Sequence, residues 1–190
     1  INVLKRRQVE KELIKHRDHL EELVAERTRD LRVAADVSKQ IATVLDIDTL
    51  LQKVVVLTAQ NFDLYTALVF LLKEDNQTLA YMTGADSSGQ IYAFEAEPRE
   101  MSIHTRPSLI ARAARNLEVV CVNDVTQSPD YWHWSELPET KSELVIPMRL
   151  GHQLLGVFDL QAEQLNRSND QDLRVLTALA YQIAISVRNA

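Results

Sequence analysis

Glycine, cysteine and tryptophan are all scarce in this chain of 190 residues, with four, one and two copies respectively. Four glycines leave little room for a backbone cradle around a phosphate. No Ser-His-Asp order, glycine-rich phosphate loop or paired metal motif is present, so the residues for an enzyme's nucleophile, base and orienting partner do not assemble. A single thiol, Cys121, forms no internal disulfide and no thiolate zinc site. The fold must therefore rest on its core, as expected in a reducing compartment such as the cytoplasm. No apolar run approaches the roughly 20 residues that cross a bilayer; the strongest, Thr66–Leu72, is far shorter. Cationic clusters are also missing. Residues 1–35 carry nine Lys/Arg against seven Asp/Glu, and the remainder nets −8. An acidic body does not neutralise phosphates, so nucleic acid is not an expected partner.

With 46% hydrophobic and 25% charged residues, the composition is that of a folded chain rather than a disordered one. The chain begins at Ile1 without a methionine or signal-peptide pattern, and the expectation is a segment of a longer polypeptide, whose lost neighbours include candidate membrane segments.

Residues 1–45 contain neither glycine nor proline, and their apolar positions recur at threes and fours. This predicts one helix about 65 Å long at 1.5 Å per residue. Leu13, Leu20, Leu23, Val24, Leu31, Ala34 and Ile41 form a narrow apolar seam between densely charged flanks. Such a seam suits a partner helix, most simply the same segment of a second chain in a parallel coiled coil. Arg27 falls on the seven-residue step and the companion positions drift, which weakens the pairing locally. The stretch Leu20–Leu31, with Glu26, Arg27 and Thr28, resembles the signalling helix that joins sensor and output modules in bacterial receptors.

From Asp46 the pattern changes, dividing the chain into a helix over 1–45 and a domain over 46–190. Asp48 is expected to cap a helix over Thr49–Asn61. Leu64–Leu72 reads as a central strand covered on both faces, followed by strands at Thr78–Thr83 and Gln90–Glu95. Pro107–Arg115 reads as a short helix closed by Asn116 in the left-handed position, and Leu117–Val122 as a strand. A long loop then runs from Asn123 to about Ser142. Glu143–Leu150 and Gln153–Gln161 form a hairpin turned at Gly151-His152. Ser168 and Gln171 read as a capping box for a last helix over about 169–189. Leu176, Ile183 and Val187 on that helix step by three and four, and a second apolar face includes Val175, Ala178, Leu179 and Ile185. One face is expected on the sheet and the other against the first helix or a second protomer. Leu176, Ile183 and Val187 are assigned to the dimer interface. The predicted class is α+β: an antiparallel sheet of five or six strands with helices on both faces, plus the long N-terminal helix.

Three stretches of this pattern resemble the GAF family of small sensor domains. They are Leu45–Leu51 at the entry helix, Val122-Asn123-Asp124-Val125 followed by Pro129, and Ser142–Met148 with Leu155-Gly156-Val157 at the closing hairpin. The resemblance implies a ligand pocket walled by the loop between the third main strand and the hairpin. In this chain that loop carries Tyr131-Trp132-His133-Trp134, both tryptophans flanking a histidine. Aromatic walls suit flat apolar or cationic ligands; the alternative is a loop stapled to the sheet by packing alone. Cys121 and Asp124 at the loop's entrance, and His104 and Arg106 before the short helix, complete the candidate pocket, with Arg106 suited to an anionic group. Departures from relatives narrow the ligand, which stays unknown. Residues Leu165–Asp172 lack the Phe and Asp-Glu pair associated with cyclic-nucleotide binding, so a cyclic nucleotide is not indicated. Cys121 is followed by valine inside a predicted strand rather than by histidine, which argues against a covalent bilin. No pattern favours haem through His104 or His133, and no metal ligands accompany His133 beyond Asp130. Relatives that reduce free methionine sulfoxide exchange disulfides among several cysteines, and one thiol does not.

The resemblance implies a non-catalytic regulatory domain, homodimeric through its terminal helices, that relays small-molecule binding to a linked histidine kinase or cyclic-dinucleotide enzyme. A structural dimerisation spacer without ligand is the alternative. The seam predicts a dimer in sedimentation at tens of micromolar protein; a monomer there contradicts the relay.

Overall fold

The computed structural model describes residues 47–92, 100–104 and 108–190. The expected coiled-coil helix, with its seam at Leu13, Leu20, Leu23, Val24, Leu31, Ala34 and Ile41, lies outside the described residues, as does Arg106.

The described chain runs α1 (Ile47–Asn61), β1 (Thr66–Leu72), β2 (Thr78–Ala85), β3 (Glu100–Ser102), α2 (Leu109–Asn116), β4 (Val120–Val122), a 3-10 turn (Val125–Gln127), β5 (Ser142–Leu150), β6 (Gln153–Ala162) and α3 (Asp170–Asn189). The strands form one six-stranded sheet in the order β3-β2-β1-β6-β5-β4, with antiparallel pairing throughout. This is the α+β architecture that the pattern of elements predicts and that the resemblance to GAF domains implies.

β1 sits inside the sheet, which explains its unbroken apolar run: Ala67, Leu68, Val69 and Phe70 are each 0% exposed. Alternation divides them between two cores. Ala67 and Val69 join Leu144, Ile146, Phe158 and Leu160 beneath α1 and α3. Leu68 and Phe70 join Val145 and Val157 on the opposite face, covered by Leu109, Ile110 and Ala113 of α2 and by Trp134 and Leu137 of the long loop. Two positions require glycine. Gly151 turns the β5–β6 hairpin at φ 63°. A Cβ at Gly156 would collide with the carbonyl of Phe70, because β6 and β1 approach closely there.

Several expected boundaries move. α1 begins at Ile47, so Asp48 lies inside the first turn, where its charge suits the helix dipole, rather than at the cap. The third strand is Glu100–Ser102; the described part of Gln90–Glu95 contributes only an isolated bridge from Ile91 to Ala85. Ser108 caps α2, its hydroxyl accepting from the Ala111 amide at 2.8 Å, and Pro107 lies outside the described residues. Leu117, not Asn116, takes the left-handed closing conformation at φ 56°, and β4 starts only at Val120. The capping box of α3 sits one residue later than expected. Asn169 accepts from the Asp172 amide at 2.9 Å and donates to the Asp172 carboxylate at 2.8 Å, so Ser168 and Gln171 are not the pair.

The largest correction concerns α3. Leu176 and Ile183 are each 2% exposed, and Val187 packs against the same cluster on the chain's own sheet. Apolar area already removed from water within one subunit has none left to bury against a second. Leu176 and Ile183 are therefore core residues and not dimer contacts, while Val187 is partly buried at the edge of the same cluster. The other face remains open, with Val175 at 51% and Ala178 also exposed. No helix among the described residues is long and apolar enough to cross a membrane.

Candidate functional site

The segment from Asn123 to Lys141 leaves β4, crosses the sheet face that α2 also covers, and returns to β5. Its first turn is held by Asp124, whose Oδ1 accepts from the Thr126 amide at 3.0 Å and hydroxyl at 2.7 Å. Asp124 is thus a structural cap of the 3-10 turn. One backbone bond between loop and sheet edge, Val125 N–H to the Lys141 carbonyl at 3.0 Å, ties the loop's ends together. Backbone bonds at Gln127, Ser128, Tyr131, Leu137 and Thr140 close local turns, while Lys141 N–H to the Ala162 carbonyl at 2.8 Å and Asn166 N–H to the Asn123 carbonyl at 3.1 Å fix the segment to the rest of the domain.

The aromatic stretch alternates between sheet and solvent. Trp134 is 6% exposed and its ring lies 6.2 Å from Phe70, tilted at 47°. Tyr131 and Trp132 are half-buried against the same core. His133 is exposed, its ring 6.4 Å from that of Tyr131. Trp134 is thus the staple, with Tyr131 and Trp132 packed partly exposed beside it.

Beneath this wall the sheet presents two carboxylates. Glu143 on β5 is 4% exposed and Asp159 on β6 is 0% exposed. The register pairs Glu143 with Gln161 and Val145 with Asp159, which places Glu143, Asp159 and Gln161 on the face shared with Val145 and Val157. Gln161 donates to Asp159 Oδ2 at 2.8 Å, and Thr140 from the loop donates to Gln161 Oε1 at 2.6 Å. Asp159 Oδ1 is buried without an N–H or O–H partner. The Glu143 carboxyl faces it and supplies a donor only when protonated. Burial, then the charge of Asp159, pushes Glu143 well above the usual carboxylate range; burial likewise raises Asp159 from 3.8 to about 7. Glu143 therefore keeps its proton and donates it to Asp159, and the pair takes up a single negative charge only as pH rises through about 7. The described ion pairs, Lys73–Glu100, Arg112–Asp130 and Arg167–Asp172, involve neither Glu143 nor Asp159.

One phenol, Tyr131, lies within electrostatic range of the pair. Burial and the Glu143 charge push Tyr131 up to about 12, and its hydroxyl adjoins Thr140. Tyr65, before β1, lies in electrostatic range of both Tyr131 and Tyr92 and is raised chiefly by burial. It also lines a surface cleft of about 260 Å³ with Asp86, Tyr92 and Glu163.

The remaining predicted residues do not gather here. Cys121 is exposed and alternates with Val120 and Val122, which face the loop-side core, so its thiol points to the opposite face of the edge strand. His104 is exposed after β3, and its amide bonds the Ser102 hydroxyl at 3.2 Å. Among the described residues no cluster of three or more His, Cys, Asp or Glu is placed to hold a metal ion. Sequence reasoning selected the aromatic loop but missed Glu143, Asp159 and Gln161. Their signal was polar residues at alternate positions of otherwise apolar inner strands.

A family model for the GAF domain matches residues 44–188. No curated protein matches the chain in a sequence comparison. Among solved structures, the GAF domain of a phosphoenolpyruvate-protein phosphotransferase from Coxiella burnetii superposes with a TM-score of 0.66 at 17% identity, over 84% of this chain and 93% of that one. A free methionine-R-sulfoxide reductase from Neisseria meningitidis, solved in complex with its substrate, gives 0.64 at 19% identity, over 80% and 84%. The GAF region of a putative membrane protein from Geobacter sulfurreducens PCA gives 0.59 at 21%, over 79% and 98%. At these identities the likeness is one of fold.

The acid pair has a thermodynamic signature. The folded chain keeps protons that the unfolded chain releases above the ordinary Asp value of 3.8, so stability falls as pH rises towards about 7. The slope reaches about 1.4 kcal/mol per pH unit for each proton retained. Urea denaturation should find the protein less stable at about pH 8 than at about pH 5, by on the order of 2 kcal/mol, with most of that difference gone in Asp159→Asn. Equal stability at both pH values, or the same slope in the variant, contradicts the shared proton.

Proposed function

The chain belongs to the GAF domain family, and from that premise we propose that residues 46–190 form a non-catalytic regulatory sensor that binds a small molecule between the loop at 123–142 and the inner sheet face. The observation that carries this reading is the pair of buried carboxyl groups, Glu143 and Asp159, beneath half-buried aromatic side chains. Buried charges are commonly replaceable by apolar residues at no loss of stability, so a domain serving only as a spacer gains nothing from this pair. A binding domain gains a specific partner for a ligand. The chain's single cysteine, turned away from the loop, supports a binding rather than a reductive role.

Binding would bias the position of the loop and of the helices packed on the sheet, and through the N-terminal helix reach an output domain such as a histidine kinase or cyclic-dinucleotide enzyme. A ligand shifts such a balance only by its differential affinity for the two arrangements. Dimerisation in this reading rests on the seam of the first helix, in a protein acting in the cytoplasm. The spacer reading draws its support from Trp134, which closes the core under the loop.

Native mass spectrometry of gently purified protein separates the two. The sensor reading expects a bound small molecule whose removal changes the fluorescence of Trp132 and Trp134. Ligand-free protein whose fluorescence answers to no metabolite in a broad panel contradicts it.

A further inference from the structure

α3 carries charge only towards its ends, with Asp170, Asp172 and Arg174 near its start and Arg188 in its last turn. From Val175 to Val187 no residue is charged, in a chain whose residues are 25% charged overall. One side of that neutral stretch is accounted for, because Leu176, Ala180 and Ile183 are buried in the cluster with β5 and β6. The other side is not. Gln171, Val175, Ala178, Gln182, Ile185 and Asn189 follow alternating steps of four and three, which sets them in one line along the helix, opposite the buried ridge. Val175 is 51% exposed, Gln171, Ala178, Gln182 and Asn189 are exposed as well, and Ile185 is partly buried. A helix face left to water ordinarily carries Lys, Arg, Asp and Glu. Here all four charged residues of α3 fall off the line.

Alternating steps of four and three are the spacing of two helices wound together. In a parallel pair of identical helices each residue of the line meets its own copy, so a charge there opposes itself and only a neutral line is tolerated. Gln182, in the middle, points to the same partner. A side-chain amide both donates and accepts, so two copies of it satisfy each other, whereas an apolar groove on an unrelated protein leaves it unanswered. Reversing one helix sets Val175 against Ile185 but Gln182 against Ala178, and the amide again lacks a partner. We propose that the outward line of α3 pairs in parallel with the same line of a second copy of this chain, in register at Gln182. This extends the sensor reading, in which the first helix alone joins two subunits. The inner ridge of α3 shares its cluster with Leu144, Ile146, Phe158 and Leu160, sequence neighbours of Glu143 and Asp159. Pairing therefore links the two acid-bearing hairpins through one helix from each subunit.

The test uses the full chain carrying Cys121→Ser, which removes its only thiol, and adds one cysteine at a time: Ile185→Cys or Ala178→Cys on the line, Thr177→Cys off it. Mild oxidation at tens of micromolar protein then reports which positions meet their own copies. Ile185→Cys and Ala178→Cys should form disulfide-linked dimers at least roughly tenfold faster than Thr177→Cys, because a bridge needs Cβ atoms within about 4 Å of each other. Gln182→Glu sets like charges in opposition at an exposed position, and should slow the Ile185→Cys link by about tenfold while the circular dichroism of the chain is unchanged. A chain that sediments as a dimer but links Ile185→Cys no faster than Thr177→Cys overturns the α3 pair and leaves the first-helix seam and the sensor reading standing. Faster linking between Val175→Cys and Ile185→Cys chains than of either with itself shows the reversed pair and overturns the proposal. A monomeric chain overturns it together with the relay, and slow alkylation of the Ile185→Cys thiol then assigns the cover to the chain's own remaining residues. A dimer linked at Ile185→Cys that binds no small molecule keeps the α3 pair and overturns the sensor reading.

Discussion

A proton held between Glu143 and Asp159 is the constraint around which the loop-side half of this domain is arranged. Two carboxylates that are 4% and 0% exposed do not both ionise without a counter-charge, so one must stay neutral and donate to the other. That requirement reaches outward through Gln161 to Thr140 and so into the loop itself, linking the charge state of the sheet to the position of its cover. An apolar pair would leave Thr140 without this polar tie to the sheet.

The opposite face of the sheet supplies the rigidity this arrangement needs. Phe158, Leu160, Leu144 and Ile146 are clamped by α1 and α3 through Leu51, Val55, Leu176, Ala180 and Ile183. Asp159 lies between Phe158 and Leu160 on β6, so its orientation is set by side chains with no freedom to move. The other face is closed by α2 and by the loop, through Leu109, Ile110, Trp134 and Leu137. The packing under α1 and α3 consumes the apolar ridge of α3 within the subunit and leaves Val175 and Ala178 as its outward residues.

Much of this was legible in the residues, and what was not has physical causes. β1 and the β5–β6 hairpin announce themselves by a two-sided apolar run and a Gly151-His152 turn, because burial and positive φ restrict composition strongly. β3 does not. It has three residues on the sheet edge with only Met101 buried, too short for periodicity to speak. The α3 ridge was read correctly as apolar, but periodicity cannot say whether a ridge meets its own sheet or another copy; the pairing of Leu176 and Ile183 with β5 and β6 decides that. Adjacent Ser168 and Asn169 are both good caps, and backbone entry angle chose the second. The acid pair was hidden most deeply. Single polar residues in strands read as solvent-facing until the register Glu143↔Gln161 and Val145↔Asp159 places them on one covered face.

The central claim concerns protonation, and carbon-13 NMR of the Glu143 and Asp159 side-chain carboxyls, followed across pH, tests it most directly. The account predicts that the Glu143 carbon keeps the position of a neutral acid through neutral pH while the Asp159 carbon moves with a midpoint near about 7. Both carbons titrating independently below about pH 5, as solvated carboxylates do, would contradict it.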